Sequence, residues 1–99
     1  MIYQLSVPPA VPNVAEIRIL EWHGAVGTHF APGDLIVELE THKAIVEVRA
    51  NQAGVLRRIE AEPGDWRAIG TALALFADEA GEALESAAAH DLRVEFEVS

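Results

Sequence analysis

The sequence has no cysteine, so neither a disulfide framework nor thiolate chemistry can be built from it. No apolar run is long enough to cross a bilayer. The first residues, Met1-Ile2-Tyr3-Gln4-Leu5-Ser6-Val7, lack the basic start and long apolar stretch of a secretory signal. They also lack the arginine-rich, acid-poor character of an organelle transit peptide, and the chain reads as cytoplasmic. Positive charge is scarce: seven Lys and Arg stand against sixteen Asp and Glu, a net charge of −9. That balance argues against nucleic acid, whose phosphates need a basic footprint, and against an anionic membrane surface. It suits a partner that docks on basic surfaces of larger proteins. The scarcest group is the side-chain amine. Lys43 is the sole lysine, and the other six basic side chains are arginines.

What is present points to a folded domain. Ninety-nine residues, 51% of them apolar, suffice for one modest core and are far too apolar for a disordered chain. A faint internal repeat organises them. The stretch Val26-Gly27-Thr28 through Gly33-Asp34 to Leu39 aligns with Pro63-Gly64-Asp65 through Gly70-Thr71 to Phe76, at an offset of 37 residues from Gly27 to Gly64. Each block follows a short apolar strand, Ile17-Arg18-Ile19-Leu20-Glu21-Trp22 in one half and Gly54-Val55-Leu56-Arg57-Arg58-Ile59 in the other. Neither half can bury an apolar face alone, so the expected fold is all-β, a small sandwich or flattened barrel with approximate two-fold symmetry. Gly27, Gly33, Gly64 and Gly70 read as turn residues of positive φ, with Pro32 and Pro63 pre-setting two of the turns. The expected core is Val37, Leu39, Val46, Val48, Val55, Ile59, Leu73 and Leu75, with Trp22 and Trp66 packing at strand edges. From residue 78 the composition turns acidic and alanine-rich, a connector or short helix up to His90. Residues 92–98 then alternate as one further strand, which would pair with an open sheet edge in this chain or in a neighbour and so allow a dimer.

Lys43 sits between two such strands. In Val37-Glu38-Leu39-Glu40-Thr41-His42-Lys43-Ala44-Ile45-Val46-Glu47-Val48, alternating apolar residues flank a polar centre. That is a hairpin with the amine at its tip. A catalytic Schiff-base lysine works from a buried site, and a polar hairpin tip is not one. His23, His29, His42 and His90 show no tight ligand spacing, so no metal site is expected.

Glu40-Thr41-His42-Lys43-Ala44 resembles the Glu-Thr-Asp-Lys-Ala turn of lipoyl domains, members of the biotinyl/lipoyl-attachment family found in the acyltransferase component of 2-oxo acid dehydrogenase complexes. The likeness runs outward through Ile19-Leu20-Glu21-Trp22-His23, Gly33-Asp34-Leu35, Ala53-Gly54-Val55-Leu56 and Pro63-Gly64-Asp65, and covers residues 2–77. It implies a flattened barrel-sandwich of two four-stranded antiparallel sheets with pseudo-two-fold symmetry over residues 1–77. Residues 78–99 would then be an extension with one extra strand. It implies lipoic acid joined to Lys43 by an amide, with Glu40, Thr41, His42 and Ala44 forming the recognition surface around it. The domain would be a carrier and not an enzyme. Its partners would be a thiamine-diphosphate-dependent dehydrogenase, an acyltransferase, dihydrolipoyl dehydrogenase, and the lipoate ligase or lipoyl transferase that loads it. The loop Val7-Pro8-Pro9-Ala10-Val11-Pro12-Asn13 corresponds to the family's surface loop beside the lysine.

Two departures from the pattern stand out. His42 replaces the aspartate that precedes the lysine in the family and contributes there to partner recognition. No Ala/Pro linker, subunit-binding domain or catalytic domain follows the barrel pattern, so as a complete product the chain would be a stand-alone carrier. Two other readings remain open on the residues. A biotin carrier domain shares the fold, but it flanks its lysine with methionines, and Met1 is the only methionine here. The other is an unmodified adaptor or scaffold, with Lys43 as ordinary surface charge.

Overall fold

Ten short strands make up the computed structural model, which describes residues 1–84 and 90–99. They are β1 (Ile2–Ser6), β2 (Glu16–Trp22), β3 (His29–Phe30), β4 (Leu35–Glu40), β5 (Ile45–Ala50), β6 (Gly54–Ile59), β7 (Trp66–Ala68), β8 (Ala72–Ala77), β9 (His90–Asp91) and β10 (Val94–Val98). There is no helix among the described residues, and so none long and apolar enough to cross a membrane. The strands form two facing sheets, ordered β3-β6-β8-β1-β9 and β10-β5-β4-β2-β7. The arrangement is the expected flattened barrel-sandwich, open at its edges. Period-two patterning decides which face turns in: along β5, Val46, Val48 and Ala50 are buried while Ile45, Glu47 and Arg49 are only half-buried. Ile17, Ile19, Ile36, Leu39, Leu56, Leu73 and Phe76 fill the space between the sheets.

The repeat is written in the backbone hydrogen bonds. Gly27 N–H donates to Leu56 O (2.7 Å) and Leu56 N–H to Thr28 O (2.9 Å). Residues 37 positions away do the same with roles exchanged, Gly64 N–H to Ile19 O (2.8 Å) and Ile19 N–H to Asp65 O (2.9 Å). Each half thus holds the turn of the other against its own long strand, which is the pseudo-two-fold relation the repeat implied. The four turn glycines have φ between 88° and 100°. At Gly33 and Gly64 the preceding proline and the positive φ together give the type II turn that Pro-Gly favours. In both turns an aspartate at the next position accepts a backbone N–H: Ala31 N–H donates to Asp34 Oδ2 (2.8 Å) and Glu62 N–H to Asp65 Oδ2 (2.9 Å).

Four expectations need correction. Leu75 is not core: it pairs with Gln4 on one side and Arg58 on the other and faces outward with them. A bulge between Leu56 and Arg58 shifts the phase of β6, so Val55 and Leu56 are both buried and Ile59 is only partly covered. Trp66 is 49% exposed because β7 is an edge strand, whereas Trp22 packs on the core and donates from Nε1 to Ala61 O at 2.9 Å. The C-terminal extension supplies two strands where one was expected, so each sheet has five. β9 lies parallel on β1 and β10 antiparallel on β5 of the same chain. Between them Leu92 is buried in the core, and Gln52, itself buried, accepts Arg93 N–H at 2.8 Å. Of the expected connector, residues 78–84 are not helical, and residues 85–89 lie outside the described residues.

Candidate functional site

β4 and β5 are neighbours inside their sheet, and the four residues Thr41, His42, Lys43 and Ala44 join them. Thr41 N–H donates to Ala44 O at 2.8 Å, which closes a two-residue loop of His42 and Lys43. Neither loop residue has positive φ, so this is not one of the primed turns that suit such hairpins best. Thr41 makes up the difference. Its side chain is buried, and Oγ1 accepts the N–H groups of both Lys43 and Ala44 at 3.0 Å. This is the local side-chain cap by which Ser, Thr, Asn and Asp start turns. The turn therefore stands on a buried threonine, while His42 and Lys43 project into solvent. Among the described residues Lys43 forms no ion pair.

Thr41→Val keeps the shape and removes the acceptor. We expect it to cost about 1 kcal/mol, near the lower bound for stranding two N–H groups because water reaches this turn. Chemical denaturation reads the loss, and faster amide exchange confined to Lys43 and Ala44 identifies its source.

The other residues named around the turn have separate duties. Glu40, at the end of β4, is ion-paired with Arg18 directly across on β2. The half-buried Ala44 serves the turn through its carbonyl. Nothing in the linear sequence marked Arg18 as a partner of Glu40, since only the strand register brings them together. Register also creates a cluster that histidine spacing did not reveal. A bulge between Ile19 and Glu21 puts Glu21 opposite Glu38, and His23 Nε2 lies 2.6 Å from Glu38 Oε1. The ligand atoms of Glu21, His23 and Glu38 lie within 4.8 Å of one another. Glu47 continues the row opposite Glu38, and Glu97 stands opposite Glu47. The sheet face behind the lysine is thus strongly acidic.

An exposed amine on a capped, rigid turn is suited to carrying a covalent group. Comparison with known proteins leads to the same type of domain. The family model described as biotin-requiring enzyme, the biotinyl/lipoyl-attachment domain, matches residues 3–76. The dihydrolipoyllysine-residue succinyltransferase component of the 2-oxoglutarate dehydrogenase complex of Staphylococcus saprophyticus is 38% identical over 78 residues, 79% of this chain and 18% of that protein. The dihydrolipoyllysine-residue acetyltransferase component of the pyruvate dehydrogenase complex of Zymomonas mobilis is 32% identical over 90 residues, 90% of this chain and 20% of that protein. The mitochondrial pyruvate dehydrogenase complex protein X component of Chaetomium thermophilum is 34% identical over 74 residues, 74% of this chain and 17% of that protein. The chain thus spans about a fifth of the length of these curated relatives. With the match covering all of the first eight strands except Ile2 and Ala77, this chain is a lipoyl-type domain of the biotinyl/lipoyl-attachment family.

Proposed function

We propose that Lys43 is the attachment point of lipoic acid and that the domain is the non-catalytic carrier of a 2-oxo acid dehydrogenase system, or of a related one such as an acetoin-cleaving complex. The observation that carries this reading is the sole lysine of the chain standing exposed at the tip of a threonine-capped turn, within a fold whose relatives are dihydrolipoyllysine proteins. The donor set fits the group: an amide needs one accessible amine, and no other side chain offers one. Bound lipoic acid would supply a dithiolane that takes up an acyl group together with two electrons.

The protein's own residues do the rest. Thr41 fixes the direction in which the lysine leaves the surface, and Arg18 holds Glu40 down on the sheet. That leaves His42 and Lys43 as the outermost features of the turn. Tethering turns successive encounters with separate enzymes into local ones at high effective concentration. The partners in this reading are a thiamine-diphosphate-dependent dehydrogenase, an acyltransferase, dihydrolipoyl dehydrogenase and a lipoate ligase or lipoyl transferase. A dimer joined through β10, which the C-terminal strand alone would allow, sets Glu95 and Glu97 against the same residues of a second copy, a like-charge pairing that disfavours it.

The test is the intact mass of the chain after incubation with lipoate ligase, or separately with biotin ligase, followed by peptide mapping. A lipoyl adduct confined to Lys43 is the expected result. Biotinylation instead would move the protein to carboxylase chemistry, and refusal of both groups would make it an adaptor.

A further inference from the structure

The family match ends at residue 76, and the segment beyond it builds something of its own. On β5, Val46, Val48 and Ala50 face the core and are buried. Their β10 partners Val98, Phe96 and Val94 carry the same inward face one strand further out. The opposing sheet does not follow: β9 is two residues long and covers β1 only at Tyr3 and Gln4. The inward side of β10 therefore overhangs a slot, and Phe96 and Val98 remain 42% and 48% exposed although they face inward. The slot is an open cavity of about 420 Å³, within the range of small-molecule sites. Leu5, Val7, Pro8, Leu92, Val94 and Phe96 supply most of its lining.

Its position relative to Lys43 follows from the register. Ser99 exchanges both backbone hydrogen bonds with Ile45 at 2.9 Å, so β10 ends beside the base of the lysine turn. Phe96 stands opposite Val48, three residues from Ile45 along β5, or roughly 10 Å at strand rise. A flexible arm anchored on the neighbouring turn has this apolar strip within reach. Asp91 in the lining and the net charge of −9 disfavour an anionic occupant. Glu95 and Glu97 oppose a second copy. The group attached nearest is an apolar ring on a hydrocarbon chain, and tethering makes even a weak contact populated.

We propose that the slot between β1 and β10 is a resting site for the dithiolane end of the lipoyl arm, with the exposed Phe96 in its lining and Val98 on the same strand between it and the lysine turn. This rests on the reading of Lys43 as the attachment point, and the experiment separates the two. The full chain is prepared with and without lipoylation. Intact mass and peptide mapping decide attachment; the carbon–proton spectra of both forms decide docking. The expected result is a lipoyl-dependent shift of the Phe96 ring and of the Val98, Val94 and Leu92 methyls, with nuclear Overhauser contacts from the dithiolane protons to Phe96. In Phe96→Ser, a change at an exposed position that leaves the core intact, the lipoyl-dependent shifts of the Val98, Val94 and Leu92 methyls vanish. A small water-soluble phosphine then reduces the ring faster, by about tenfold if the arm rests nine-tenths of the time. Shifts confined to residues 41–45 of a lipoylated chain, or equal reduction rates in the two proteins, would overturn the resting site and leave attachment standing. A chain that takes no lipoyl group at Lys43 overturns both.

Discussion

Replacing Lys43 by arginine is expected to abolish attachment of lipoic acid completely while leaving the fold intact. Arginine keeps the positive charge at an exposed tip where the native amine makes no ion pair among the described residues, so stability should move by no more than about 0.5 kcal/mol. The guanidinium stays protonated and does not form the amide. No second lysine can substitute, and the amino group of Met1 is engaged by Glu82 and Asp78. Intact mass after exposure to the ligase gives the answer in one spectrum, and circular dichroism confirms the fold. An adduct that persists in Lys43→Arg would place the acceptor elsewhere and remove the basis of the carrier reading. Reductive acylation by a thiamine-diphosphate-dependent dehydrogenase should fall to background in the same variant.

The second large effect concerns the core. Phe76 on β8 is 1% exposed and meets Phe30 edge-on, with ring centroids 5.8 Å apart and planes at 66°. Its ring also lies on the backbone of Gly54, where an added Cβ would come within 3.6 Å of it. Phe76→Ala opens a cavity between the sheets and forfeits the aromatic pair, at a cost of about 3–5 kcal/mol. A domain this small has a total stability near the lower end of the usual ~5–15 kcal/mol, so a large fraction of the variant should be unfolded at physiological temperature. Urea unfolding should show the midpoint falling with little change in slope. A loss below about 1 kcal/mol would mean that Phe30 and Phe76 do not share one core.

Much of this molecule is legible in its sequence. The glycine turns and the strands they separate follow from local chemistry, because Pro-Gly and alternating apolar residues leave the backbone few options. The lysine stood out by its uniqueness, and the turn around it by its likeness to a known motif. Features set by register were not legible. Leu75 alternates like a core residue, yet Gln4 and Arg58 on either side of it place it on the outer face. The bulges in β2 and β6 shift the phase of whole strands, and a one-residue insertion leaves no compositional mark. The Arg18–Glu40 pair depends on how β2 and β4 are paired, and the grouping of Glu21, His23 and Glu38 on the bulge in β2. The strand over residues 92–98 was expected. That it would seat on β5 beside the lysine turn, with β9 holding the other sheet, depended on the two-residue crossing at Leu92 and Arg93.

The docking of β10 on β5 decides how other proteins can read this domain. Without it β5 would be an outer strand, and its free backbone groups would offer a template for strand addition by any extended peptide. With that ladder occupied up to Ser99, the nearest edge without a partner strand among the described residues belongs to β10, where Glu95 and Glu97 flank Phe96. An enzyme that approaches Lys43 must therefore recognise it by the shape and charge of the turn, and cannot use the backbone of the hairpin as a handle. Selectivity among partners would then reside in a few side chains, with His42 the most prominent of them.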